Sequence, residues 1–209
     1  PLAVVRSGLE SVEKCSNEEE RNHFLHLMSE ETVHMKRLID DMLLLANSDA
    51  DTLTIKPEAC QPDLLLLDTY EKFETLAKKN GLHLILTLPE EILPDCFCDI
   101  HRTEQIFSII VDNALCYTPS GGKVTLSCHA ENEMLCFLFE DTGCGISEEK
   151  KSHIFERFYR ADDAHTDREH FGLGLCIAKE LTEKQNGNIQ VVDAPISGCC
   201  FMVQLPCVL

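Results

Sequence analysis

Phe24, Met28, Met35, Leu38, Met42 and Leu45 recur at three- and four-residue steps through residues 18 to 48, with only Glu31 interrupting the seam. That spacing predicts one long helix with a single apolar stripe. The same steps at Leu2, Val5, Leu9 and Val12 predict a helix over residues 2 to 12. "CSNEEE" supplies the turn, with Ser16 or Asn17 as the cap of the second helix. A two-helix hairpin cannot cover its own apolar stripe, so the pattern points to a four-helix bundle made by two copies of the chain.

After "NSDAD" the periodicity changes, which puts a boundary near residues 48 to 52. "TLTIKPE" reads as a strand, residues 62 to 80 as a helix ended by Asn80 and Gly81, and "LHLILTLP" as a strand of period two. A helix over 100 to 116 follows, then the turn "TPSGG" and strands at 123 to 130 and 134 to 141. A helix near 148 to 157, a loop at 159 to 171, a helix at 172 to 186 and a closing pair of strands complete the chain. The fold class expected is α+β: a helical hairpin over residues 1 to 48, then a mixed, mainly antiparallel α and β domain over 52 to 209.

At 209 residues, 44% of them hydrophobic, the chain can bury a core. No run approaches the twenty apolar residues that span a bilayer; the longest candidates are Leu64 to Leu67 and Ile106 to Val111. No leader opens the chain, so direct membrane contact is not expected, and Pro1 at the start suggests a piece of something longer. A formal charge of −18 argues against binding nucleic acid. The twelve cysteines are scattered, several inside apolar runs, as buried thiols in a reducing cytoplasm are. The close pairs Cys96 with Cys98 and Cys199 with Cys200 lack the spacing of a zinc site.

Three stretches combine the residue types a nucleotide needs. In "DNALCYTPSGG", Asn113 on a helix offers an amide oxygen suited to magnesium, and Tyr117, one turn on, can lie against a base. In "EDTGCGI", Asp141 at a strand end can accept from an exocyclic amino group, while Gly143 and Gly145 let the backbone approach a flat ring. In "HFGLGLCIAKEL", Gly172 and Gly174 open a helix whose first amides suit phosphate. Each alone reads equally as turn, cap or packing chemistry; their order and spacing give them weight.

"QIFSIIVDNALCYTP", "EDTGCGIS", "IFERFYRAD" and "FGLGLCIAKEL" resemble, in order, the N, G1, F and G2 boxes of the ATP-binding domain of two-component sensor histidine kinases. "PLAVVRSGLESV" is similar to the continuation of that family's H box. The resemblance implies a Bergerat-type α/β sandwich that binds ATP and Mg2+, and a reaction moving the γ-phosphoryl to a histidine and then to an aspartate of a response regulator receiver domain. It implies that Asp141 reads adenine, with Gly143, Gly145 and Ile146 around the base and Tyr117 stacked there. Asn113 becomes the magnesium ligand, Arg157 and Arg160 the phosphate-facing arginines, and Gly172, Leu173, Gly174 and Leu175 the phosphate-side loop. "YRADDAHTDREHF" takes the place of a lid over ATP. Partners implied are a second copy through the hairpin and the receiver domain, with a cytoplasmic location and a parent anchored in a bacterial membrane.

The chain departs from that pattern in places. The phosphoacceptor histidine and the phosphatase threonine lie just before Pro1 in the family, so this chain is not expected to phosphorylate itself. His23, His26 and His34 read as solvated or half-buried rather than as substitutes. Ile109 stands one turn before Asn113, where relatives carry a second polar ligand or a water-activating acid. Cys116 takes the place of a lysine, and Glu169 and His170 replace glycines. A second reading, of a degenerate domain serving as a dimeric scaffold or phosphatase module with weak or no ATP binding, therefore stays open. So does a dimeric interaction module without any ligand.

Overall fold

The computed structural model describes residues 2–15, 17–160 and 171–208. Two compact units divide the chain, the first built on residues up to Leu53 and the second beginning at Thr54.

In the first unit, α1 (Leu2–Lys14) packs on α2 (Glu18–Asp49). They meet closely at Gly8, where a Cβ would lie 2.6 Å from Cγ of Met28. The side chain of Asn17 caps α2 by accepting from the Glu19 amide at 2.9 Å. Glu18, Glu19 and Glu20 put negative charge against the positive end of the helix dipole. Ser16, the other expected cap, lies outside the described residues. Phe24, Met28, Met35, Leu38 and Leu45 are buried or half-buried, but Met42 is 49% exposed and Leu44 is buried instead. A helix of 3.6 residues per turn drifts against a 3.5 repeat, so along α2 the buried stripe moves off Met42. His23 and His26 are exposed and His34 is half-buried.

The second unit contains β1 (Glu58–Cys60), α3 (Pro62–Lys79), β2 (His83–Thr87), β3 (Cys96–Cys98), α4 (Ile100–Tyr117), β4 (Lys123–Glu131), β5 (Met134–Asp141), α5 (Glu148–Lys151), α6 (Gly174–Glu183), β6 (Asn188–Asp193) and β7 (Cys199–Pro206). Five strands form one sheet in the order β2-β4-β5-β7-β6. The β2–β4 pair is parallel and the others antiparallel. β1 and β3 make a separate antiparallel ribbon. α3 packs on β2 and β4, α4 on β4 and β5, and α6 on β6 and β7, so three helices cover one sheet in a two-layer α+β sandwich.

The layers lock through aromatic side chains. Phe107 of α4 is fully buried, with its ring centroid 4.8 Å from that of Phe137 and 5.0 Å from that of Phe139, both on β5. Such tilted pairs add about 0.5–1.5 kcal/mol each beyond the burial of their area. Because side chains alternate along a strand, Leu135, Phe137, Phe139 and Asp141 leave β5 on one face. The same alternation that builds the core thus places Asp141 on its helix-covered side.

Asp99 ties the start of this unit to α4. Its Oδ1 accepts from the Arg102 amide at 3.1 Å as the N-cap of α4, and its Oδ2 accepts from the Lys56 amide at 2.9 Å.

Several elements differ from expectation. "TLTIKPE" is not a strand before Glu58, because the amides of Thr52 and Leu53 turn back to Asn47 O and that of Lys56 goes to Asp99. The helix expected over 148 to 157 stops at Lys151. Beyond it the amides of His153 and Glu156 bond three residues back, to Lys150 O and His153 O, in successive tight turns. α6 begins at Gly174 rather than Gly172 and ends at Glu183, where Gly187 N–H returns to Thr182 O and Asn186 takes φ 58. β2 ends at Thr87, before Pro89.

Candidate functional site

β5 delivers Asp141 at its last position, 4% exposed and linked to three donors. Oδ1 accepts from the Gly143 amide at 2.8 Å and from the Cys199 amide at 3.4 Å. Oδ2 accepts from the Cys199 thiol at 2.9 Å. A carboxylate offers about four lone-pair sites, so one remains for a further donor.

The glycines around it are held by close approach. A Cβ on Gly143 would lie 2.5 Å from the Tyr117 carbonyl oxygen and 2.8 Å from Asp141 Oδ1. The backbone of Tyr117, the last residue of α4, therefore abuts the loop; the residue is 36% exposed. Gly145 has φ 72 and faces the Gly198 backbone. Ile146 is half-buried and Cys144 exposed. Gly198 has φ 85, and a Cβ there would lie 2.1 Å from the Asp141 carbonyl oxygen.

Asn113 is half-buried one turn before the end of α4. Its Nδ2 donates to Ile109 O at 2.8 Å, which fixes the side chain along the helix and turns its oxygen to the acceptor role. Ile109 itself meets the start of α6: a Cβ on Gly174 would sit 3.2 Å from Cγ2 of Ile109. α4, which carries Asn113, thus packs against the start of α6 through an apolar contact.

Gly172 lies two residues before α6 with φ 71, where a Cβ would crowd Tyr159 O and the Phe158 backbone. It accepts from the Phe158 amide at 2.9 Å through its own carbonyl, and Phe158 has φ 64. Arg157 and Arg160 flank this clamp and are both exposed. Leu173, 1% exposed, is the N-cap of α6 and makes no side-chain cap hydrogen bond to the first turn. Leu175 is half-buried in that turn. Gly172 was expected to open the helix; its left-handed backbone makes it a hinge of the preceding turn instead. The expected lid lies mostly outside the described residues, as do Glu169 and His170.

Gly198 and Cys199 were not among the sequence candidates. Their signal is "SGCC" ahead of the alternating "FMVQLP", which says nothing about a carboxylate 58 positions earlier. Burial first, then the hydrogen bond to Asp141 and its charge, push the Cys199 thiol well above the usual range. The proton stays on sulfur and donates.

The arrangement gathers a buried acceptor, side-chain-free approaches, a neutral hard oxygen and a helix N-terminus on neighbouring elements. The residues suit a purine with a magnesium-bound phosphate chain, since magnesium takes few protein ligands and keeps waters.

The sequence pattern of the "Histidine kinase-, DNA gyrase B-, and HSP90-like ATPase" family matches residues 98–209. "Adaptive-response sensory kinase SasA" of Rippkaea orientalis is 30% identical over 214 residues, covering 99% of this chain and 54% of the relative. Full-length ShkA, solved in complex with AMPPNP, matches with a TM-score of 0.80 at 25% identity over 96% of this chain and 42% of that one. Histidine kinase ThkA in complex with response regulator protein TrrA shares the fold, with a TM-score of 0.77 at 18% identity over 100% of this chain and 58% of that one. The chain spans about half the length of SasA.

Proposed function

The chain belongs to the family of histidine kinase-, DNA gyrase B- and HSP90-like ATPases, and on that premise we propose that its second unit binds magnesium ATP at Asp141 and Asn113. It carries the ATP-binding catalytic domain of a sensor histidine kinase. In the whole protein the γ-phosphoryl passes to a histidine on the helical hairpin and then to an aspartate of a response regulator receiver domain.

The observation that carries this reading is the buried Asp141 carboxylate, ringed by Gly143, Gly145 and Gly198 and keeping acceptor capacity for one more donor. Asp141 takes the exocyclic amino group of adenine, and Gly143, Gly145 and Ile146 leave room for the ring, with Tyr117 beside it. Asn113 holds the metal through its oxygen. When bound, magnesium neutralises charge on the phosphate oxygens. The first amides of α6, at Gly174 and Leu175 beyond Gly172 and Leu173, hold phosphate by dipole and hydrogen bond, and Arg157 and Arg160 add positive charge. Ile109 cannot take a proton from water, so these groups position a transfer rather than drive hydrolysis.

Titration with an ATP analogue, with and without magnesium, tests the reading. Saturable binding should raise the melting temperature with ligand concentration. Asp141→Asn should weaken affinity by about ten- to a hundredfold, the worth of a hydrogen bond to a charged group. Unchanged affinity in Asp141→Asn sinks the assignment.

Ile109, an apolar side chain one turn before Asn113 that can bind no hard cation, favours a second reading, a domain that binds ATP weakly and works as a dimeric scaffold or phosphatase module. Autophosphorylation of a longer form that includes the histidine separates the two.

The hairpin, residues 1 to 48, acts as the dimerisation and phosphotransfer element, and residues 52 to 209 as the catalytic domain. Leu9, Ile39, Met42 and Leu43 are exposed on the lone hairpin, which supports pairing with a second copy. No helix among the described residues is long and apolar enough to cross a membrane. The reading places this region in the cytoplasm of a bacterium, the parent protein being anchored in the membrane.

A further inference from the structure

Three thiols converge away from the nucleotide site. In the β1–β3 ribbon Cys60 pairs with Cys96, and Glu58 with Cys98. Alternation along β3 sends Cys96 and Cys98 to one face and Phe97 to the other, where it is 44% exposed. Cys60, directly across the ribbon, joins the same face. Its Sγ lies 3.4 Å from Sγ of Cys98, and the three sulfurs all lie within 4.8 Å of one another. Cys96 and Cys98 are fully buried, whereas Cys60 is half-buried and gives the cluster an opening.

Three sulfurs each about 2.3 Å from a common centre are about 3.8–4.0 Å apart, so the observed cluster needs small side-chain shifts to close around an ion. Thiolates select soft cations over magnesium or calcium. Among the described residues no histidine or carboxylate completes the group, so the donor set is sulfur only. Close cysteines that are all free thiols among the described residues fit ligation better than covalent stapling.

We propose that Cys60, Cys96 and Cys98 form a three-thiolate site for a thiophilic d10 cation, Zn(II) or Cu(I), which fastens β1 to β3. Three S–metal bonds replace three S–H bonds, the three protons leave to solvent, and no atom changes oxidation state. The site is independent of the nucleotide reading. It sits one residue before Asp99, so it fixes the strand that leads into α4.

The test uses the 209-residue chain, stripped by chelator, held reduced by a phosphine, and given Zn(II) alone or Cu(I) alone. Native mass spectrometry should show one ion per chain. X-ray absorption should show three sulfurs at about 2.3 Å, with one added oxygen for four-coordinate Zn(II) and none for Cu(I). Cys60→Ser should lower affinity more than about a hundredfold, since a direct ligand matters at least as much as its supports. Cys15→Ser, in the first unit, should leave it unchanged. The proposal is overturned by no uptake, by undiminished uptake in Cys60→Ser, or by a shell of nitrogen or oxygen alone. Should Cys60→Ser lose its melting transition, the absorption spectrum of the unmodified chain decides.

Discussion

The thiol of Cys199 donates to Oδ2 of Asp141 at 2.9 Å, across 58 positions of sequence, and both groups are buried. A neutral donor thus orients the carboxylate that faces the proposed adenine. Cys199→Ala should remove this support and weaken analogue affinity, by less than Asp141→Asn does. Cys199→Ser restores a hydroxyl donor and should recover most of the loss, as read by isothermal titration.

The same thiol is held protonated by burial and by its carboxylate neighbour. Since thiolate is the reactive form, alkylation at neutral pH should mark exposed Cys144 well before Cys199. Peptide mapping after a timed iodoacetamide pulse checks the order. Equal labelling of the two would mean that Cys199 does not hold its proton as described.

Alkaline pH should destabilise the second unit. Burial pushes Cys128 and Cys200 up to about 11 from an ordinary value of 9.0, aided by Asp63 for the first and Glu140 for the second. Each folded thiol keeps its proton where the unfolded chain has lost it. The stability attached to them is therefore full below pH 9.0 and is lost as pH rises through about 11. Melting temperature should fall across that window, and Cys128→Ala should flatten the fall.

Gly198→Ala places a methyl 2.1 Å from the Asp141 carbonyl oxygen, at φ 85. The backbone must shift, at a cost of roughly 1–3 kcal/mol, and carry Asp141 with it. Chemical denaturation should show the loss of stability, together with loss of analogue binding.

Phe107→Ala opens a cavity between α4 and β5, beneath Phe137 and Phe139. A buried phenylalanine truncated this way loses about 3–5 kcal/mol. A urea midpoint that barely moves would contradict this packing.

What the sequence made legible depended on length and period. α4 and β5 run long enough for their spacing to show, and Asp141 and Asn113 sit on them. β3 has three residues, too few for any period. "TLTIK" alternates like a strand, yet its neighbouring amides are claimed by Asn47 and Asp99, partners that no local pattern reveals. Gly198 and Cys199 were missed for a related reason: their meaning comes from the turn that brings β7 beside the end of β5. Met42 was misplaced because a strict seven-residue count ignores the slow rotation of a straight helix.

Asp99 grips the chain at Lys56 with one oxygen and the first turn of α4 with the other. A mechanical pull on the incoming segment at Lys56 consequently loads the base of the helix bearing Asn113.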